Sequence, residues 1–166
     1  MKTSNPAVDS TPTLQLPVWS AVVQAGVISS LVFQALEILL IPLVGGGSPW
    51  GPARMIAAMV LGTSVLPPPA TFAVVPVVAA LLVDMALAII YVAVLSLFVR
   101  RLSLPGAIVA GIVFGGILYV VNFYGFTSIF PWFRMGRNGV TIFTHVVFSV
   151  TAVLTYRRLA RGRGAA

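Results

Sequence analysis

The sequence predicts an all-α integral membrane protein: four transmembrane helices in an up-down-up-down bundle, with one short interfacial or re-entrant helix after the first span. Three observations carry this expectation. The chain of 166 residues is 59% hydrophobic and only 8% charged, with a mean hydropathy of +1.06, whereas soluble domains carry about 25% charged residues. Four apolar runs, residues 17–44, 72–99, 105–129 and 139–156, are each long enough to cross a hydrocarbon layer of about 30 Å, which takes about 20 helical residues at 1.5 Å each. Finally, six of the ten basic residues sit in two clusters directly after apolar runs, Arg100-Arg101 and Arg157-Arg158 with Arg161 and Arg163.

Residues 1–16 are polar, contain Pro6 and Pro12, and show no apolar periodicity, so they read as a disordered cytoplasmic tail. The first span follows, with Trp19 as an interfacial marker. Its apolar run exceeds the roughly 7–15 residues of a secretory signal core, and the leader carries only Lys2, so it reads as a retained helix. In residues 45–72 the central apolar piece, 53–65, is too short to span and is fenced by prolines. Pro52 suits a first helical turn and Pro67-Pro68-Pro69 stops one, which predicts the short helix; a fifth span is the alternative. The glycines 45–47 terminate the first span, with no phosphate-loop Lys and Ser/Thr after them.

The second span ends at Arg100-Arg101, a tight loop leads to the third, and PWFRMGRN connects to the fourth. The domain spans residues 17–156, and 157–166 form a basic cytoplasmic tail. With both termini on one side, that side holds seven basic residues, Lys2, Arg100, Arg101, Arg157, Arg158, Arg161 and Arg163, against Arg54, Arg134 and Arg137. The excess marks the cytoplasmic side, as in a bacterial inner (plasma) membrane. It also accounts for the net charge of +7 without nucleic acid. The third span carries Ala107, Gly111 and Gly115, a small-xxx-small ridge for helix packing that continues to Leu118 and Asn122; packing inside the bundle is preferred over dimerisation.

Polar residues within the spans are costly in hydrocarbon and usually face the protein interior. Gln34 and Glu37 lie on the first span, Asp84 on the second, Asn122 on the third and His145 on the fourth. Three stripes of small or polar residues, at 27, 30, 34 and 37, at 80, 84, 88 and 91, and at 141, 145, 149 and 152, follow a three-to-four step. The expectation is one shared intramembrane polar cluster, with Arg54 as an outer lid paired to Glu37. The aromatics Phe123, Tyr124, Phe126, Phe130, Trp132 and Phe133 read as an interfacial belt. A sharper reading makes them a surface for a lipid headgroup, quinone or subunit, with Arg134 and Arg137 contacting anions.

There is no cysteine, which excludes disulfides, thiolate metal sites and a cysteine nucleophile. No hydrolase, zinc-peptidase or phosphate-loop pattern occurs, and one histidine is too few for bis-histidine haem, so neither cofactor, metal nor catalytic residue is expected. The first-ranked role is a structural or accessory subunit of a larger membrane complex, because the chain lacks a catalytic pattern and the paired repeats of most secondary transporters. The alternatives are a small proton- or ion-handling transporter, oligomeric, that uses the polar cluster, and a membrane enzyme on a lipid-like substrate. The expected partners are the bilayer and a membrane protein or second copy.

The charge asymmetry generates a topological prediction. A periplasm-sensitive reporter fused after Ala166 or inserted at Ser103 is silent, and one at Gly47 or Gly136 is active; activity at the C-terminus reverses the orientation.

Overall fold

The computed structural model describes residues 17–66 and 68–164. Its five helices are α1 (Trp19–Gly45), α2 (Gly51–Leu61), α3 (Val74–Val99), α4 (Leu104–Val120) and α5 (Gly139–Gly164). A π turn, Val121–Gly125, and short 3₁₀ turns, Phe126–Ser128 and Pro131–Gly136, join α4 to α5. Four segments are long and apolar enough to cross a membrane: α1, α3, α5, and α4 taken together with its π and 3₁₀ extension to Ser128. The described residues thus form an all-α membrane bundle.

Local chemistry sets the helix ends. Gly46 takes a left-handed conformation, φ 63°, that stops α1 with no Cβ penalty. Ser103 caps α4 by accepting from the Gly106 amide at 3.3 Å, and Pro105 sits in the first turn.

In sequence order the spanning helices form a ring, and α5 is its spine, packed between α1 and α4; α1 also packs on α3. Hydrophobic attraction between helices is absent in lipid, so close approach needs small residues. Gly115 supplies it: a Cβ there would lie 2.7 Å from the His145 carbonyl oxygen and 2.7 Å from Val146 Cα. Gly111 lies against Ser149, Val150 and Val153 one turn further on, and Gly26 of α1 rests on the Ile89 backbone of α3. The small-residue ridge of the third span is therefore used inside the bundle.

The thin side of the ring lies between α3 and α4. Near the arginine-rich end the ring is filled by an aliphatic core that includes Val22, Ala25, Val92, Leu95, Val99, Ala152 and Val153. That end is closed by Arg157, which is buried and donates from Nη1 to the Val99 and Leu102 carbonyls at 2.7 Å each. It thereby satisfies the last carbonyl of α3, Val99, which has no partner within the helix, and the Leu102 carbonyl of the loop that follows.

Residues 45–73 leave and return at the opposite, connector end. The Trp50 and Phe72 rings meet at 4.8 Å, and Ser48 Oγ donates to the Ala70 carbonyl. An excursion whose two ends touch has not crossed the bundle, so α2 is a short helix at the connector end and not a fifth span. Its 11 residues cover about 16 Å. Ala53 and Ala57 pack against Ala80 of α3.

Three boundaries differ from expectation. The third span, expected as one helix over 105–129, loses α geometry after Val120. The fourth, expected to end at residue 156, continues as helix through Gly164, so the basic segment is helical over that range. In addition, Arg54 does not pair with Glu37. Its guanidinium donates to the Val65 carbonyl at 2.8 Å and the Thr71 carbonyl at 2.9 and 3.0 Å, which ties the returning chain to α2. Residues 1–16, the expected tail, lie outside the described residues.

The α4–α5 contact is directly testable. Gly115→Ala forces two backbones apart and costs about 1–3 kcal/mol, whereas Gly116→Ala, with open space around its Cβ, is neutral or mildly stabilising through helix propensity. Thermal unfolding in detergent reads the difference; equal effects at the two positions contradict the close approach.

Candidate intramembrane binding site

A cavity of about 810 Å³ occupies the connector half of the bundle and reaches the thin α3–α4 side. Its walls come from every helix: Phe33, Leu40 and Ile41 of α1, Met55 and Met59 of α2, Leu87 of α3, Leu118 of α4 and Phe143 of α5. They are overwhelmingly apolar, and the two α2 methionines give that wall a flexible, polarisable lining. Among these apolar walls stand Glu37, Asp84, Tyr91, Asn122 and His145.

Each carboxyl is held by one hydroxyl from a neighbouring helix. Ser30 Oγ of α1 donates to Asp84 Oδ2 of α3 at 2.6 Å, and Thr144 Oγ1 of α5 donates to Glu37 Oε1 of α1 at 2.6 Å. The second oxygen of each has no partner among the described residues, and neither carboxyl forms an ion pair with a described residue. Glu37 is 3% exposed, so its free acceptor capacity lies inside the bundle.

Asn122, Tyr91 and His145 form a separate chain of hydrogen bonds. Tyr91 Oη donates to Asn122 Oδ1 at 2.9 Å, Asn122 Nδ2 lies 3.1 Å from His145 Nε2, and His145 Nδ1 lies 2.8 Å from the Thr141 carbonyl. A carbonyl only accepts, so Nδ1 carries a hydrogen; in the neutral ring Nε2 then accepts from the asparagine amide. Every polar atom of the imidazole is thereby used. The ring is further fixed edge-on by Phe33 at 5.1 Å and Phe123 at 5.5 Å. His145 is thus a positioning group, and the uncommitted acceptors of the cavity are those of Glu37 and Asp84.

The π turn is what brings Asn122 to this place. Such turns insert one extra residue into a helical ladder and recur at functional sites. Here the turn carries Asn122 and Phe123 to the α3–α5 side of α4. Phe123 is buried, and it packs with Tyr119 and Phe133 to roof the histidine. Arg137 secures the same turn: Nε donates to the Phe123 carbonyl at 2.8 Å, Nη2 to Thr127 Oγ1 at 3.3 Å, and the guanidinium lies 4.0 Å from the Tyr124 ring centroid. The aromatic run is accordingly split, with Phe123 and Phe133 inside and Tyr124 exposed. Trp132 Nε1 donates to the Met55 carbonyl at 2.9 Å and so joins this roof to α2.

Of the residues expected to cluster, Glu37, Asp84, Asn122 and His145 line one cavity. Gln34 does not line it; it is half-buried on α1 one turn earlier. Arg54, Arg134 and Arg137 do not line it either, and Arg134 is exposed. Sequence reasoning passed over Thr144, although its three-residue step from Thr141 is a usable signal. It placed Ser30 and Tyr91 on the right faces without giving them partners. No three His, Asp or Glu side chains among the described residues gather closely enough to hold a metal ion. Comparison with protein-family models, curated proteins and solved structures gives no match to this chain.

The hydrogen-bond chain implies energetic coupling. In a double-mutant cycle in detergent, Tyr91→Phe and Asn122→Leu each lower thermal stability, and their combined effect falls short of the sum by about 0.6 kcal/mol or more, the usual size of an interhelical polar contact. Strict additivity contradicts the bond.

Proposed function

We propose that this small multi-pass membrane protein binds a largely apolar molecule inside the bilayer and holds its hydrogen-bond-donating head, an amine, amide or hydroxyl, against Glu37 and Asp84. The observation that carries this reading is the 810 Å³ apolar cavity with two carboxyls as its uncommitted acceptors. Pockets of about 300–1,000 Å³ with apolar walls and a few placed polar groups are the usual form of small-molecule sites. The thin α3–α4 side supports entry from the lipid phase, which suits an amphiphile.

Blindness of the cavity favours binding over proton conduction. Below Phe33, Tyr91 and Phe148 an aliphatic core fills most of the bundle, and none of the lining residues lies near the arginine end. A conducting path needs polar groups or water in series across the whole bundle. The cavity also ranks lipid-like substrate binding ahead of the accessory-subunit role, which rests on sequence absences alone. The charge asymmetry supports an arginine end on the cytoplasmic side, with the cavity towards the opposite face.

Fluorescence titration of the purified chain in detergent tests this with a dansylated long-chain alkylamine and its carboxylate analogue. The amine binds, and Asp84→Asn or Glu37→Gln weakens it tenfold or more, the loss of one charge-assisted hydrogen bond of about 1.5–3 kcal/mol. Leu87→Trp, which fills part of the cavity, weakens both probes. Preference for the carboxylate, or indifference to all three substitutions, overturns the proposal.

A further inference from the structure

The arginine end holds a second recess, of about 260 Å³, lined by Arg100, Leu102, Tyr156, Arg157, Ala160 and Arg161. Basic side chains at the ends of membrane helices normally extend their charge outward to water and headgroups. Two of these three do not. Arg157 is 8% exposed, and while its Nη1 holds the α3–α4 loop, its Nε is buried without a partner. Arg100 forms no hydrogen bond to any described residue, and both its Nε and Nη1 are buried.

Three covered, charged N–H groups facing no acceptor are costly, since an unsatisfied buried donor costs about 1–3 kcal/mol and more when ionised. No acid among the described residues offsets them. The two acids among the described residues, Glu37 and Asp84, both line the other cavity. The recess thus has concentrated positive charge, unspent donors and room for a small anion.

Its depth indicates which anion. Helix α3 has 26 residues, about 39 Å at 1.5 Å each, against a hydrocarbon layer of about 30 Å. A helix of that length, centred on the layer, carries its end at Arg100 to the level of lipid phosphates. Leu97 and Phe98 in the last turn of α3 are exposed, offering an apolar surface for acyl chains beside the recess. Guanidinium groups pair with phosphate oxygens more strongly than with neutral acceptors, and basic pockets between membrane helices suit phospholipid heads.

We infer that Arg100, Arg157 and Arg161 form a phosphate-binding site whose occupant is the headgroup phosphate of an anionic phospholipid. This site is separate from the ligand cavity and stands independently of it. Bound phosphate accepts from Arg100 and Arg157 Nε and ties α3 to α5 across the recess.

Thermal unfolding of the full chain in nonionic detergent, at constant ionic strength, tests the inference with dihexanoylphosphatidylglycerol and with inorganic phosphate as probes. A bound ligand raises the melting temperature by mass action. The phosphatidylglycerol raises it by several degrees and inorganic phosphate by less; an equal or larger rise with inorganic phosphate keeps the site but assigns it to free phosphate. Arg100→Gln loses most of the rise. Arg161→Gln, at an exposed position that leaves folding intact, loses part of it, and Arg134→Gln at the connector end loses none. No rise with either probe, a full rise in both Arg100→Gln and Arg161→Gln, or an equal loss in Arg134→Gln overturns the inference.

Discussion

The contact of α4 with α5 at Gly111 and Gly115 is the constraint on which the rest of the structure depends. With lipid tails as apolar as any leucine, two helices gain by approaching only where their backbones can come close. Gly115 against His145 and Val146 fixes both the distance and the register of the pair. Once that register is set, His145 lies against Gly115, five residues before regular α4 ends at Val120, and a residue about two turns beyond Gly115 can reach its Nε2. Asn122 does so from the π turn. The same contact presents Thr144 on the neighbouring face of α5, where it meets Glu37 of α1.

From this follows an uneven distribution of packing along the bundle. The arginine half is filled with valine, alanine and leucine, and the connector half is hollow. A void in a membrane bundle loses dispersion contacts unless something occupies it. The polar groups around it would be costly if exposed to hydrocarbon, and each helix therefore lends a hydroxyl or amide to its neighbour. The short α2 and the aromatic roof complete the walls. Neither could be stable alone in lipid; they are held by Arg54 on the loop carbonyls and by Trp132 on Met55.

The two ends of the molecule consequently differ in chemistry. The connector half has acceptors in excess and no arginine on its cavity, while the arginine recess has donors in excess and no carboxyl. The described residues keep their opposite charges apart where a salt bridge between them would have neutralised both. Each site is left to be completed from outside, by donors in one case and by an anion in the other.

The sequence by itself determined the four spans, the short helix too brief to cross and the segregation of charge, because hydropathy, proline position and length act locally along the chain. It also determined which faces carry Glu37, Asp84 and His145, since a three-to-four step is a property of one helix. It could not determine which faces meet. Gln34 shares a stripe with Glu37 yet lies off the cavity, because at that height it is the neighbouring Phe33 that α1 turns towards the cavity and α5. Arg54, the natural partner for Glu37 on charge alone, is instead held by backbone carbonyls that a returning loop presents and that no residue identity encodes. The π turn that delivers Asn122, the continuation of α5 through Gly164 and the buried, unpartnered N–H groups of Arg100 and Arg157 likewise arise from tertiary contacts: backbone ladders and burial depend on what packs opposite, and that was decided only when the helices came together.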